Sequence, residues 1–403
     1  MRLFAFRGTR YSGDTEQLAA PPFDQIGAER QEELHGRHEH QFARLTRPVD
    51  PGTAAELLAT WSSDGTTVRE EAPCLYAYEI RLADQTTRRL GLCGLVALEP
   101  PDSGVVRPHE STVEKTIEER LGLLGATETD LEPILMLCEK SAEFEALLTR
   151  ACDQPFLCRY RDEFGHLHGL HRIDDAETID RFRQLLAPSP AWIADGHHRY
   201  RVASEYARRR QPAEGTAAAA KLAVITSLAS PGLRIDPIHR AVVQRVDPDA
   251  ATSLAAERTT WTGSCGADLA TAVARAAQPS IGVCATDGRA EVWRLDPDQA
   301  PEELPDGARR LAAALVHGPL FERLGLAPGA SHDGSVVYRS DPDDLFDEVA
   351  RGDASLGVWL PPTSPELFAQ AVEAGDRLPP KWTRFVPKLA SGLVWCPHET
   401  EIL

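Results

Sequence analysis

The sequence has no long apolar run, and this absence excludes one class of protein. No apolar stretch approaches the roughly 20 residues that a membrane-spanning helix requires. The apolar start of the chain is interrupted at Arg7, too early for the hydrophobic core of a secretory signal peptide. We therefore expect a cytoplasmic protein without a membrane partner.

Basic residues are also in short supply. Acidic residues outnumber them by 61 to 43, which gives a formal net charge of −18. A protein that binds duplex DNA neutralises phosphates with a basic surface, so this charge argues against duplex DNA as a partner. Only five basic residues are lysines, and two of them, Lys381 and Lys388, are seven residues apart. A local basic pocket for a small phosphorylated ligand is compatible with the overall charge.

Several common functional motifs are missing. The eight cysteines include no Cys-x-x-Cys pair, and we interpret them as buried reduced thiols. The phosphate loop G-x-x-x-x-G-K-[ST], the fingerprint G-x-G-x-x-G and the nucleophile motif G-x-S-x-G are absent. Histidines at 35–40 and 166–171 lack cysteines or carboxylates at zinc-ligand spacing, and we interpret them as exposed to solvent. Any use of a nucleotide must therefore depend on a different framework.

Hydrophobic patterning predicts strands and helices that do not alternate regularly. Strands are predicted at residues 75–80, 91–98, 132–138, 156–160, 191–194, 221–228 and 354–360, a hairpin at 280–295, and helices at 110–125, 177–186, 197–210, 247–277 and 365–375. Because no β-α unit repeats, the sequence favours an α+β fold over a doubly wound sheet. A weak boundary near residues 211–220 divides the chain into domains 1–212 and 213–403.

The strongest local feature is a strand-turn-helix junction with dense polar residues. A short apolar strand stops at Asp195, and Gly196 permits a tight turn. The next helix begins with His197, His198 and Arg199, whose side chains add donors to the free N–H groups of its first turn. Asp195 could hold a divalent cation or cap the helix. The junction therefore predicts a phosphate-binding site.

A second candidate lies just before the helix predicted at 110–125. Here Glu110 follows His109, and its carboxylate could accept a proton from a substrate hydroxyl. Alternatively, Glu110 could only interact favourably with the helix dipole.

Two further candidates lie later in the chain. Lys381 and Lys388 flank Thr383, which is consistent with a phosphate clamp or with a solvated pair of lysines. His239 and Arg240 form another polar group after a strand.

Six segments together resemble a large bacterial and archaeal family that is labelled a domain of unknown function. They are Phe-Ala-Phe-Arg-Gly at 4–8, Pro-Pro-Phe-Asp at 21–24, His-Glu-Ser-Thr at 109–112, Ala-Asp-Gly-His-His-Arg-Tyr at 194–200, Pro-Ile-His-Arg at 237–240 and Pro-Lys-Trp-Thr-Arg-Phe-Val-Pro-Lys at 380–388. The resemblance runs from about residue 3 to residue 395, and the fourth and sixth segments are the most specific.

The Asp-Gly-His-His-Arg element also resembles the phosphate-binding turn of the ParB/sulfiredoxin-like superfamily. That superfamily includes free-serine kinases, which phosphorylate L-serine to O-phosphoserine with ATP, ADP or pyrophosphate. In those kinases the glutamate of a Pro-His-Glu segment is regarded as the base, and residues 108–110 match that segment. The resemblance implies an α+β fold with a ParB/sulfiredoxin-like core in residues 1–212. It also implies a mixed C-terminal half, 213–403, whose last segment returns to the site.

The resemblance implies a kinase that acts on free L-serine or a related hydroxy amino acid. The expected partners are this amino acid and the phosphoryl donor, with Mg²⁺ as cofactor, whereas the oligomeric state is not predicted. The implied catalytic residues are Glu110, Asp195 and His198; the phosphate- or nucleotide-binding residues are Gly196, His197, Arg199, Lys381, Thr383 and Lys388; the substrate-binding residues are His109, Thr112, His239, Arg240 and Asp24; and Asp195 is the metal ligand.

Two alternatives belong to other classes. A non-catalytic regulator could bind a nucleotide or phosphoamino acid at the same turn. A sulfiredoxin-like phosphoryl step on a protein thiol is disfavoured, because the turn lacks a cysteine beside its histidines.

Overall fold

The chain forms two compact units. The computed structural model describes residues 1–110, 114–213, 215–304, 306–327, 330, 333–373, 381–400 and 402. The first unit contains Met1–Leu233 and Pro387–Leu403, and the second contains Arg234–Val386. The domain boundary predicted after residue 212 precedes a strand, Ala220–Ser227, that belongs to the first unit. No described helix is both long enough and apolar enough to cross a membrane.

The first unit combines a large sheet with helices. Its strands are β1 (Leu3–Phe4), β2 (Thr9–Tyr11), β3 (Thr67–Arg69), β4 (Leu75–Arg81), β5 (Arg88–Ala97), β6 (Val106–Arg107), β7 (Thr129–Asp130), β8 (Ile134–Cys138), β9 (Cys158–Arg161), β10 (Leu167–Ile173), β11 (Ala191–Asp195) and β12 (Ala220–Ser227). Its helices are α1 (Ala28–Arg37), α2 (Ala43–Thr46), α3 (Pro51–Ser63), α4 (Glu114–Thr127), α5 (Ala142–Ala151), α6 (Ala176–Leu186) and α7 (His197–Arg210). The short strand Cys396–Pro397 pairs with β7.

The main sheet of the first unit has the strand order β6-β11-β8-β12-β5-β4-β10-β9, and β1 also pairs with β5. The pairs β6-β11 and β8-β12 are parallel, whereas the other pairs are antiparallel. One face carries the apolar core, in which Leu92, Ile193 and Ile225 pack with Phe144 of α5 and Phe182 of α6. Because side chains alternate along a strand, the intervening residues point to the opposite face. We call this opposite side the second face of the sheet.

The second unit has its own sheet and core. Its strands are β13 (Arg234–Asp236), β14 (His239–Val242), β15 (Ala255–Thr260), β16 (Ser280–Ala285), β17 (Ala290–Leu295), β18 (Val336–Arg339), β19 (Leu356–Trp359) and β20 (Arg384–Val386), and its helices are α8 (Gly266–Arg275), α9 (Asp306–Arg309), α10 (Ala312–Leu315), α11 (Phe321–Arg323), α12 (Pro342–Arg351) and α13 (Pro365–Val372). Six strands pair antiparallel in the order β15-β17-β16-β19-β14-β18. Leu269, Leu345 and Trp359 form part of the core against this sheet.

Most predicted elements are present with small shifts in their ends, and the predicted hairpin is formed by β16 and β17. Residues 111–113 and 374–375, at the ends of two predicted helices, lie outside the described residues. The long helix predicted at 247–277 is wrong. Within this range only α8 is an α-helix. Residues 255–260 instead form β15, the edge strand of the sheet, which pairs with β17. Neighbouring Thr259 and Thr260 are β-branched and favour an extended strand once a partner strand is available.

The exposure predicted for the second histidine group is also wrong in part. His168 and His171 lie in β10, a strand between β4 and β9, and both are buried. His168 Nδ1 lies 3.0 Å from the Tyr78 hydroxyl, and His171 Nε2 lies 3.0 Å from Glu79 Oε2. Burial of these rings is tolerated because neighbouring strands supply hydrogen-bond partners.

Candidate functional site

The predicted strand-turn-helix junction is present in the first unit. Strand β11 ends at Asp195, and α7 begins two residues later at His197. Gly196 between them has φ 97° and ψ 30°, in the left-handed region that favours glycine. A Cβ atom at this position would lie only 2.5 Å from Ile134 Cγ2 of β8. Both backbone conformation and close packing therefore require glycine at the turn.

Asp195 is held between two cationic side chains. Arg199 Nη2 donates to Asp195 Oδ2 at 2.8 Å, and Lys388 Nζ donates to Asp195 Oδ1. Burial opposes ionisation of Asp195, but Lys388 and Arg199 outweigh it and hold the pKa of this carboxyl well below its usual range. One carboxylate thus faces two cations, which leaves the group with a net positive formal charge.

Arg199 is buried, and further contacts hold it in place. Its Nη1 donates to the Pro133 carbonyl oxygen at 2.6 Å, just before β8. Burial opposes the charge, but Asp195, Glu132 and Asp24 raise the pKa of this guanidinium above its ordinary value. Asp24 itself is exposed, in the turn Phe23–Gln25. The sequence-predicted Asp24 therefore lies within electrostatic range of the junction.

His197 connects the junction to the segment before α4. The His109 backbone N–H donates to His197 Nε2 at 3.3 Å, and the two rings meet edge to face with centroids 4.4 Å apart. His197 Nδ1 lies 3.9 Å from Glu110 Oε2. Burial lowers the pKa of His197 to about 3, so this imidazole is neutral at physiological pH. Because Nε2 accepts a hydrogen bond, the remaining proton is on Nδ1, on the side of Glu110.

The other predicted residues are distributed as follows. His198 is half-buried in the first turn of α7, and Thr112 lies outside the described residues. Lys381, Thr383, His239 and Arg240 belong to the second unit. The structure therefore brings together, within the first unit, Asp195, Gly196, His197, Arg199, Lys388, His109 and Glu110.

Arg240 and His239 are internal residues of the second unit. Arg240 is fully buried; its Nε donates to His317 Nε2 at 2.9 Å, and its Nη2 donates to the Lys381 carbonyl oxygen at 2.9 Å. His239 Nδ1 accepts from the Leu360 backbone N–H at 3.1 Å. Burial lowers the pKa of His239 to about 4 and that of Arg240 to about 10. These contacts hold strand β14 and the Lys381 backbone together.

Sequence reasoning missed a buried charged group next to Arg199. Glu132 Oε1 accepts hydrogen bonds from the Ser391 hydroxyl at 2.7 Å and the Phe23 backbone N–H at 3.0 Å. Nearby, Lys221 Nζ donates to Asp130 and also to the Glu132 carbonyl oxygen, the latter at 2.8 Å. A cavity of about 60 Å³ lies beside this group, and its charged lining residues include Arg120, Asp130, Glu132, Arg199 and Lys221. The sequence feature that could have revealed this group is a lysine, Lys221, and an acidic residue, Asp130, at the ends of apolar strands. An unpaired charge buried there would cost free energy, so each of the two needs a partner.

The junction is not a preformed cation site. Both Asp195 oxygens accept hydrogen bonds from cationic groups, so a metal ion there would have to displace Lys388 or Arg199. Elsewhere, ligand atoms of Glu79, Cys152 and His171 lie within 4.8 Å of one another. Glu79 also pairs with Arg81 at 2.9 Å, and this positive charge opposes a metal ion. The metal role of Asp195 therefore stays a prediction.

The chain belongs to a family described as a protein of unknown function (DUF1015), whose profile matches residues 3–315. The predicted resemblance to a family labelled as of unknown function is thereby confirmed over residues 3–315, whereas its predicted extension to about residue 395 lies beyond this match. No curated protein sequence matches the chain.

Several solved structures are similar to the chain at low sequence identity. A conserved hypothetical protein from Pyrococcus furiosus has 12% identity and a TM-score of 0.36, covering 77% of this chain and 94% of its own. A free serine kinase in complex with AMP has 13% identity and a TM-score of 0.37, and the match covers 77% of this chain and 90% of the kinase chain. SbnI with a C-terminal truncation, from Staphylococcus aureus, has 13% identity and a TM-score of 0.39, and the match covers 76% of this chain and 87% of the SbnI chain.

Proposed function

We propose that this protein is a phosphotransferase that phosphorylates the hydroxyl of free L-serine, or of a related hydroxy amino acid, to give O-phosphoserine. The donor is ATP, ADP or pyrophosphate, and the first unit is proposed to have a ParB/sulfiredoxin-like core. The observation that carries the proposal is the net positive group of Asp195, Arg199 and Lys388 at the start of a 14-residue helix. The carboxylate of Glu110 lies beside the same helix start.

The helix start is suited to hold phosphate oxygens. The first-turn N–H groups of α7 point away from the helix, and the helix dipole favours an anion there. Arg199 adds a planar fork of donors, Lys388 adds a compact positive charge, and His198 adds a ring nitrogen. Asp195 acts as a positioning residue in this proposal, because it holds Lys388 and Arg199 in one orientation.

Glu110 is proposed as the base. The serine oxygen attacks the terminal phosphorus of the donor, the bond from that phosphorus to the leaving oxygen breaks, and the serine proton moves to Glu110. Phosphoryl transfer depends mainly on positioning and charge neutralisation. His197 is neutral, and its Nδ1–H lies on the side of Glu110, whose Oε2 is 3.9 Å away.

Mg²⁺ is the expected companion of a nucleotide donor, since it neutralises phosphate oxygens. The arrangement around Asp195 does not fit a preformed Mg²⁺ site, and no step above depends on the ion. The substrate roles of Asp24, His109, Thr112, His239 and Arg240, and the phosphate roles of Lys381 and Thr383, stay part of the proposal.

A donor screen tests the proposed reaction. The purified full chain is incubated with L-serine and ATP, ADP or pyrophosphate, with and without Mg²⁺, and products are followed by phosphorus NMR. A new O-phosphoserine resonance with one donor supports the proposal. Nucleotide binding without any phosphorylated amino acid contradicts it and favours a non-catalytic regulator.

A further inference from the structure

Arg89 is a buried cation in the main sheet of the first unit. It lies in β5 on the second face of the sheet and is only 1% exposed. Within the described part of the chain, neither Nη1 nor Nη2 has a hydrogen-bond partner. Two unpaired donor groups on one guanidinium are unusual, because buried polar groups in proteins are nearly always hydrogen-bonded.

Among the described residues, Arg89 also has no carboxylate as an ion-pair partner. Burial lowers the pKa of Arg89 to about 10, so the guanidinium stays protonated at physiological pH. Tyr78 and Asp195 are the groups that favour its charged form. Tyr78 is a neutral phenol at this pH, and both Asp195 oxygens are already paired with Lys388 and Arg199. A buried charge left unpaired strongly destabilises a fold, and an anionic ligand would remove that cost.

Two further side chains on the second face of the sheet also have unpaired polar atoms. Thr226 Oγ1 and Trp192 Nε1 are buried and have no hydrogen-bond partner among the described residues. Thr226 and Trp192 both pair with Leu137, on opposite sides of it, which aligns them across the sheet. Gly91, two residues after Arg89, continues this row, since a Cβ there would lie 2.8 Å from Thr226 Oγ1. Unpaired donors from three strands therefore lie on one side of the sheet.

The C-terminal segment of the first unit contacts the same face. Lys388 pairs with Asp195, and the Ala390 backbone N–H donates to the Tyr78 hydroxyl at 2.9 Å. These contacts connect the region of Arg89 with the helix start described above. Little water reaches Arg89, because it is buried, and this strengthens its attraction to an anion.

We propose that Arg89 binds an oxyanion of a small-molecule ligand, either a carboxylate or a phosphate group, with Thr226 of the adjacent strand as an additional donor. A guanidinium fork matches the two oxygens of either group. Arg89 is separate from the residues of α7, so it provides a second anion-binding position in the first unit. Only the choice of L-serine as a probe rests on the proposed kinase function.

Calorimetric titration of the full chain tests the binding role. The probes are L-serine, L-serinamide, which keeps the hydroxyl but lacks the carboxylate, and inorganic phosphate. The variants are Arg89→Met, Arg89→Lys and the control Arg88→Met, whose side chain points to the opposite face and contacts Glu79 at 3.4 Å. Arg89→Met should weaken binding of one oxyanion by about tenfold or more, with Arg89→Lys between it and wild type.

The probes distinguish the two sources of the oxyanion. A loss confined to L-serine, with L-serinamide bound weakly by all variants, assigns the carboxylate. A loss confined to inorganic phosphate assigns the phosphate group. If wild type binds none of the probes, or if Arg88→Met loses as much affinity as Arg89→Met, the inference is overturned.

Thermal unfolding without ligand separates binding from a structural role. Arg89→Met removes an unpaired buried charge, so it should unfold at a higher temperature than wild type. A lower unfolding temperature for both Arg89 variants would overturn the inference, because it would mean that the guanidinium supports the fold.

Oxyanion binding that depends on Arg89 without any phosphoryl transfer would support this inference while refuting the kinase. Phosphoryl transfer by Arg89→Met with unchanged binding of serine and donor would support the kinase and refute this inference.

Discussion

Replacement of Lys388 by methionine tests the central ion pair of the site. Methionine keeps most of the length and apolar character of the side chain but removes the ammonium group. Asp195 would keep Arg199 as its partner and lose one charge-assisted hydrogen bond. A hydrogen bond to a charged group contributes about 1.5–3 kcal/mol to stability. Because the Lys388 and Asp195 side chains are only 17% and 15% exposed, little of this contribution is lost to solvent screening.

The free energy of unfolding of Lys388→Met should therefore fall by about 1.5–3 kcal/mol at neutral pH. Urea unfolding gives this quantity, and hydrogen exchange of peptides from β11 and α7 shows whether the loss is centred on the junction. Lys140→Met is the matched control, because Lys140 is exposed on the surface of the same unit.

The pH dependence gives a second readout of the same pair. The folded pKa of Asp195 lies below its unfolded value, so its contribution to stability is fully present above about pH 4 and decreases at lower pH. In Lys388→Met the folded pKa should rise, which moves the loss of stability to higher pH. If Lys388→Met is as stable as Lys140→Met across this range, the ion pair does not exist in the folded protein and the site description fails.

Variants at three further residues test individual roles. Glu110→Gln should lower kcat by about 10²- to 10⁴-fold with donor affinity nearly unchanged, and near-normal turnover in steady-state assays would remove Glu110 from the mechanism. Arg199→Ala should weaken donor binding measured by calorimetry as well as turnover, and Arg199→Lys should recover only part of both, because a fork of donors becomes a point charge; full recovery would contradict this. The folded pKa of His197 is about 3, below the unfolded value, so its contribution to stability is present above about pH 6.5 and is lost toward pH 3. The free energy of unfolding of His197→Gln, measured in urea, should fall less steeply with pH between 6.5 and 3 than that of wild type, with a difference in slope of up to about 1.4 kcal/mol per pH unit. An unchanged slope would mean that His197 is not buried as a neutral ring.

The local geometry of the site could be predicted because its causes are local. A short apolar run followed by glycine and a polar helix start specifies a strand, a tight turn and a helix within a few residues. The same reasoning failed at residues 255–260, where pairing with β17 decides the structure. Strand pairing is a contact with a distant segment, and local patterning contains no information about which segment that is.

The sequence by itself determined the residue types at the site, the turn at Gly196 and the mixed α+β character of the chain. Only the tertiary structure decided which of these residues meet. Lys388 reaches Asp195 across 193 positions of sequence, whereas Lys381, close to Lys388 in the chain, belongs to the second unit. Arg89 looks like an ordinary strand-end arginine in the sequence, and its burial depends on β12 and β4 pairing on either side of β5. Charges interact through space rather than along the chain, so the electrostatics of the site followed from the sheet order and the return of the C-terminal segment.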